Sequence, residues 1–292
     1  LYNLALSLAQ ILGMVMLAPL LLKIARPDVL LSLCALLYAG ASVALLTIGR
    51  MPPKPAPPEV QISERINRSL RQGWRVMVRD RPAFAALVDS VLLGIGLSSL
   101  VVIVPQYLER VLSTGADNTV YVFAPAALGL VLGLQIAPTL GALTGHGRLA
   151  TLGLIGFAFC IIAIGLVGPI SNWLSGQAIL VNWLDATFGL PQRVSTTMLI
   201  ALPAGLAMAL VNVASRTMLL ERVPEDTRAR AFATQMLLAN LGALLPTLIA
   251  GLLIDLVGVE PVAIIFALSL LGGAILARRI GADERRTAPS GA

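Results

Sequence analysis

The chain has 292 residues, 57% of them apolar and 12% charged, where an ordinary soluble domain has roughly half and about a quarter. That balance excludes a disordered chain, a collagen-like chain and a typical soluble enzyme. The net charge of +6 would suit a nucleic-acid binder, but the placement of the charges between apolar runs suits membrane topology instead, so no nucleic-acid partner is expected.

Apolar stretches of about 20 residues recur, each long enough as a helix to cross the ~30 Å hydrocarbon layer. They are read at 4–24, 29–49, 84–108, 119–142, 149–168, 196–217, 231–254 and 261–280. Lipid offers no partner to a bare backbone N–H or C=O, so these runs must be helical. They are continuous rather than alternating, unlike barrel strands. The expected fold is an all-α, polytopic transmembrane helix bundle of about eight spans.

The chain opens at Leu1, already inside an apolar run, with no initiator Met and no basic region before it. It is therefore expected to be a fragment lacking an N-terminal part, and not to begin with a signal peptide. After the second span comes a long connection, 50–83, which starts with the stiff Pro-rich run Met51–Pro58. An amphipathic stretch follows, with Ile62, Ile66, Leu70, Trp74 and Val78 at four-residue spacing and arginines on the other faces. Two readings stand for it: a helix on the anionic membrane surface, or a solvated linker between two bundles.

The third span carries Asp89, an acid inside an apolar run, followed at helical spacing by Gly96, Ser99 and Gln106. An intramembrane charge is a functional candidate by default. Asp89 is read either as a site for a proton or cationic substrate, or as an interfacial acid, solvated or paired with Arg81 or Arg79. In the fourth span, Gly129 and Gly133 suit close helix approach, as do Gly242, Pro246 and Ala250 in the seventh. Gln135, Gln235 and Asn240 are polar positions in or at spans, with helix–helix bonds as their default role.

The segment 170–188 holds Asn172, Trp173, Gln177, Asn182, Trp183 and Asp185, and is read as an external interfacial segment rather than a ninth span. The sixth span carries a second polar stripe, Gly205, Asn212, Ser215 and Arg216. Asn212 is a candidate for substrate hydrogen bonds and Arg216 for a snorkelling anchor. Cys34 and Cys160 lie in apolar runs and read as small hydrophobes. The lone His146 cannot build a His-rich metal site, so neither metal nor cofactor is expected.

Basic residues orient the spans. Seventeen of them fall on one set of connections and four (Lys23, Arg26, Arg110 and Arg193) on the other. The rich set faces the cytoplasm by the positive-inside bias. Both ends of the chain are then cytoplasmic, in a multi-pass protein of the cell (inner) membrane.

The sequence also echoes itself: Ala18–Ile24 aligns with Ala250–Leu256, each followed by a proline, Pro27 and Pro261. With the central basic connection this suggests duplicated halves, as in many secondary transporters. Four features together resemble the major facilitator superfamily. The Gly13…Pro19 and Gly242…Pro246 helices are similar to the fifth and eleventh helices of its antiporters. The connection before Arg81-Pro82 resembles its central cytoplasmic loop. The turn Gly141–Arg148 is similar to its Gly-x-Leu-x-Asp-Arg-x-Gly-Arg signature, with Gly145 and His146 in place of the acidic and basic residues. The run Glu221–Ala233 closely resembles the Val-Pro-x-x-x-Arg-Gly-Arg-Val-Phe-Ala turn of the drug, macrolide and siderophore exporter branch, with Ala229 in place of a glycine.

The resemblance implies helices five to twelve of a twelve-helix transporter. Residues 1–49 would end the N-terminal bundle, 50–83 link, 84–280 form the C-terminal bundle and 281–292 a cytoplasmic tail. It implies proton-coupled efflux of small amphipathic molecules by alternating access, with the fragment inactive alone. It further implies that the third and sixth spans line the substrate path, and that the turns holding Arg148, Arg216, Glu221, Glu225, Arg228 and Arg230 act as latches. Small-molecule substrate, protons and membrane lipids are the expected partners. The alternatives are a transport-inactive structural or receptor-like membrane protein and a membrane-embedded lipid-modifying enzyme. The second lacks any nucleophile or metal-ligand motif, so no enzyme is expected.

Overall fold

The computed structural model describes residues 27–47, 62–112, 119–174, 189 and 191–282. All regular structure among them is helical: α1 Pro27–Thr47, α2 Ile62–Arg79, α3 Arg81–Arg110, α4 Thr119–Thr144, α5 His146–Gly165, α6 Val167–Leu174, α7 Gln192–Arg222, α8 Glu225–Val257 and α9 Val259–Ala282. The expected span 4–24, the Pro-rich run, residues 175–188 and residues 283–292 of the tail lie outside the described residues. The chain divides into two compact units, residues 1–66 and 67–292. In the first, α1 is apolar over Leu31–Ala44.

In the second unit α3, α4, α5, α7, α8 and α9 are long and apolar enough to cross a membrane. They correspond to the six expected spans from 84 onward and mostly run past them, although α4 starts with its span at 119 and α5 stops at Gly165, short of 168. Hydropathy marks where oil ends, whereas a helix ends only where its backbone is stopped. Gly145 (φ 86°) separates α4 from α5 and Gly258 (φ 91°) separates α8 from α9. These are left-handed conformations that side chains with a Cβ resist. Pro224 precedes α8. At 31 residues, α7 is about 46 Å long and projects beyond the hydrocarbon.

Within the unit, α7 packs against α4, α5 and α3, while α3 also meets α8 and α9, and α9 lies on α5. The seam between α4 and α7 is backbone on backbone. A Cβ at Gly129 would collide with the Leu202 carbonyl, and one at Gly205 with the Ala126 carbonyl. At Gly133 it would stand 2.6 Å from the Ala209 Cβ. Lipid gives helices no hydrophobic reason to associate, so close contact through small residues supplies dispersion instead. Gly242 departs from expectation, because a Cβ there would meet only ordinary contacts with Val91 and Ile95 at 3.4 and 3.5 Å. The interior holds Leu154, Phe157, Ala158, Val211, Ala267 and Leu270, while Leu244, Leu248, Leu252 and Leu256 of α8 are exposed. Such an outer apolar face suits lipid, not water.

The helix α2 docks through a face that the expected apolar stripe did not mark. Gly73 and Met77 are buried, in a cluster with Ala83, Leu87, Leu219, Val223 and Ala231. Trp74 and Val78, from the expected stripe, remain 44% exposed. The docked face is rotated because Gly73 lets the α2 backbone reach Thr234 and Arg230 of α8. A Cβ there would stand 2.5 Å from Thr234 Oγ1 and 2.7 Å from the Arg230 carbonyl. A row of large side chains would hold the helix off.

Candidate functional site

Asp89 lies on α3, two helical turns in from Arg81, and is 1% exposed. Helical spacing from the first turn turns it inward, toward α5. Its Oδ2 accepts a hydrogen bond from Thr151 Oγ1 at 3.3 Å, and its Oδ1 has no hydrogen-bond partner among the described residues. Thr151 also donates to the Gly147 carbonyl, one turn back on α5, at 3.1 Å. One hydroxyl proton therefore has two acceptors. The interfacial reading, in which Asp89 is solvated or paired with Arg79 or Arg81, does not describe this placement. Thr151 was missed in the sequence because an isolated Thr in an apolar run is common. Its partner lies 62 residues away, and only packing brings the two together.

The polar stripe after Asp89 faces packed protein rather than an open cavity. Gly96 abuts Phe157 and Leu270, where a Cβ would meet ring and methyl carbons at 3.0 Å. Ser99 is buried and donates to the Ile95 carbonyl at 2.9 Å. Gln106 is half-buried. On the second stripe Gly205 lies under α4, Ser215 is buried with an unpartnered hydroxyl, Asn212 is half-buried and Arg216 exposed. Gln135 is exposed on α4. The five predicted binding residues thus do not share one environment.

Of the turn residues, Glu221, Glu225, Arg228 and Arg230 make contacts at the end of the bundle where α2 docks, whereas Arg148 and Arg216 are exposed. His146 Nδ1 stands 3.5 Å from Glu221 Oε2. Gly141 makes room for the imidazole, since a Cβ there would lie 2.6 Å from His146 Cδ2. Thus His146, a departure from the resembled signature, reaches the α7 terminus while Arg148 is exposed. Arg228 donates from Nη2 to the Leu220 carbonyl at 2.9 Å and its Nη1 lies 3.7 Å from Glu225. The first contact satisfies one of the orphan carbonyls at the end of α7. Arg230 donates to Gln72 of α2. The turn between α7 and α8 is therefore tied to itself, to α5 and to α2.

From Asp89 the polar contacts run through Thr151 to Gly147, beside His146 and its partner Glu221. A buried carboxyl is thereby joined to the turns, through the first turn and a half of α5. At the opposite end, Tyr107 Oη and Thr197 Oγ1 are 2.8 Å apart. Thr197 gives its proton to the Arg193 carbonyl at 2.7 Å, so Tyr107 is the donor between them. Beyond them a cavity of about 370 Å³ opens, lined by Arg110, Arg193, Val257 and Glu260 among others.

Among the described residues no cluster of His, Cys, Asp and Glu could hold a metal ion. The family model described as Major Facilitator Superfamily matches residues 1–195, more than half of the chain. No curated protein and no solved structure matches it.

Proposed function

The chain belongs to the major facilitator superfamily, whose members are membrane transporters, and on that premise we propose proton-coupled efflux of small amphipathic molecules by alternating access. The carrying observation is the buried Asp89–Thr151 contact in a membrane-spanning helix. A carboxyl in such a place is retained at a cost of ~2.5–3.5 kcal/mol if charged, which proton binding and release can exploit.

The geometry supplies a link between protonation and conformation. With Asp89 ionised, the Thr151 hydroxyl donates its hydrogen bond to the carboxylate, and the Gly147 carbonyl loses it. With Asp89 protonated, the carboxyl O–H donates to Thr151 and the Thr151 proton returns to Gly147. The change reaches the start of α5, next to the His146–Glu221 contact. An exposed pair of that kind contributes at most about 1 kcal/mol, enough to shift a two-state population about fivefold. In this reading Glu221, Glu225, Arg228 and Arg230 form a latch at the cytoplasmic end, the side favoured by the seventeen-to-four split of basic residues. Residues 1–49 are read as the end of one bundle and 84–280 as another, with 50–83 as the connection and 281–292 as the tail. Gln106, Asn212 and Gln135 are the side chains left to contact substrate. The direction outward, and the exporter-like branch, are supported by the Glu221–Ala233 run.

The test is transport of a fluorescent lipophilic cation under an imposed pH gradient from proteoliposomes holding the full-length parent, of which residues 1–292 alone are expected to be inactive. Asp89→Asn is expected to abolish the gradient dependence, while Ser99→Ala keeps it. Gradient-driven transport by Asp89→Asn equal to the parent would remove Asp89 from the mechanism. Absence of any transport by the parent would remove the proposal as a whole.

A further inference from the structure

The helix α2 has a face that the latch does not use and that the bundle meets only through Trp74. Arg71, Trp74, Arg75, Val78 and Arg79 fall at i, i+3, i+4, i+7 and i+8, so they share one side of the helix. All five are exposed. They lie next to the Gly73–Met77 face that docks on the bundle. Among the described residues no ion pair joins these arginines to a carboxylate.

The height of this face is set by α3. Only Asp80 separates α2 from that membrane-spanning helix. The Trp74 ring meets Phe84 edge-on, with centroids 6.0 Å apart, and Phe84 lies in the first turn of α3. Trp74 is therefore held beside the start of a span, where the hydrocarbon gives way to head groups. Tryptophan favours that zone, and adjacent arginines match phosphodiester oxygens in charge and geometry.

We propose that this face binds anionic phospholipid head groups, with Trp74 and Val78 seated at the acyl boundary and Arg71, Arg75 and Arg79 on the phosphates. α2 would then clamp the bundle to the leaflet, with one face on α8 and the other on lipid. The inference rests on the bundle spanning a bilayer and not on the transport reading, so either can fail alone.

The probe is Trp74 fluorescence in the full chain carrying Trp173→Phe and Trp183→Phe, reconstituted in phosphatidylcholine vesicles with a minor share of phosphatidylglycerol. Bromine is placed on the acyl chains of one lipid or the other at equal total bromine. Label on phosphatidylglycerol is expected to quench Trp74 about twofold more than label on phosphatidylcholine. The excess should vanish in ~1 M salt, where the Debye length is about 3 Å. It should also vanish in the Arg71→Gln/Arg75→Gln/Arg79→Gln variant, which stays equally quenched by both labels. Equal quenching of the parent by the two labels would overturn the proposal. So would no quenching by either, which would mean that water, a second copy or another segment of the chain covers the face. If the triple variant does not reconstitute, the salt series on the parent decides.

Discussion

The two ends of the six-helix bundle are built on different principles. At the α2 end, a docked helix, two short turns and the contacts His146–Glu221, Arg228–Leu220 and Arg230–Gln72 tie α2, α5, α7 and α8 together. At the opposite end no docked helix covers the bundle among the described residues. Tyr107 bonds Thr197, Arg193 and Gln192 donate to the Val111 and Ser171 carbonyls, and the exposed pair Arg110–Asp255 at 3.1 Å stands beside an open cavity of about 370 Å³. A docked helix shields the polar contacts beneath it from water, whereas an exposed ion pair competes with it. The first end is covered by a docked helix, and the second borders a mouth.

The contrast can be broken most severely at Gly73. A leucine there must displace backbone of α8, and overpacking of this kind costs about 1–3 kcal/mol. Gly73→Leu is expected to lower the thermal midpoint of the detergent-purified protein and to make the 62–79 region sensitive to protease. An unchanged midpoint would mean that α2 is not docked. Next in size is Tyr107→Phe, which removes one buried hydrogen bond at the mouth and should cost about 1 kcal/mol; the same melting curve reads it. The smallest effects come from the ion pairs. Asp255→Asn and Glu221→Gln should each change stability by less than about 1 kcal/mol. They should differ in accessibility: Glu221→Gln is expected to speed alkylation of a cysteine placed at Arg148, whereas Asp255→Asn should leave that rate alone. Equal rates in both variants would erase the distinction between latch and mouth.

Helix identity was readable from composition because a bilayer permits little else. Each expected span from 29 onward has its helix, since twenty apolar residues in lipid have one way to satisfy their amides. The helix ends were less legible. The predicted third span began at 84, after the charges, while α3 begins at Arg81, where Pro82 sits at the start of the helix and costs it no hydrogen bond. Asp89 was found as a rare acid in an apolar run. Its environment was not, because a polar stripe at helical spacing shows that residues share a face without saying what the face meets. Here it meets α5 and α9. Gly73 and Met77 went unnoticed beside the larger Trp74 and Val78, since side-chain size predicts burial only where nothing needs to come close.

By itself the sequence determined the fold class, the helical spans, the likeness of the Glu221–Ala233 turn and the uneven distribution of positive charge. Each of these follows from the solvent a residue must face, which is a local property. Tertiary packing alone decided that Thr151 reaches Asp89, that His146 meets Glu221 and that α2 docks through a glycine. Those contacts join residues far apart in the chain, and depend on how closely two backbones can approach once the helices have formed.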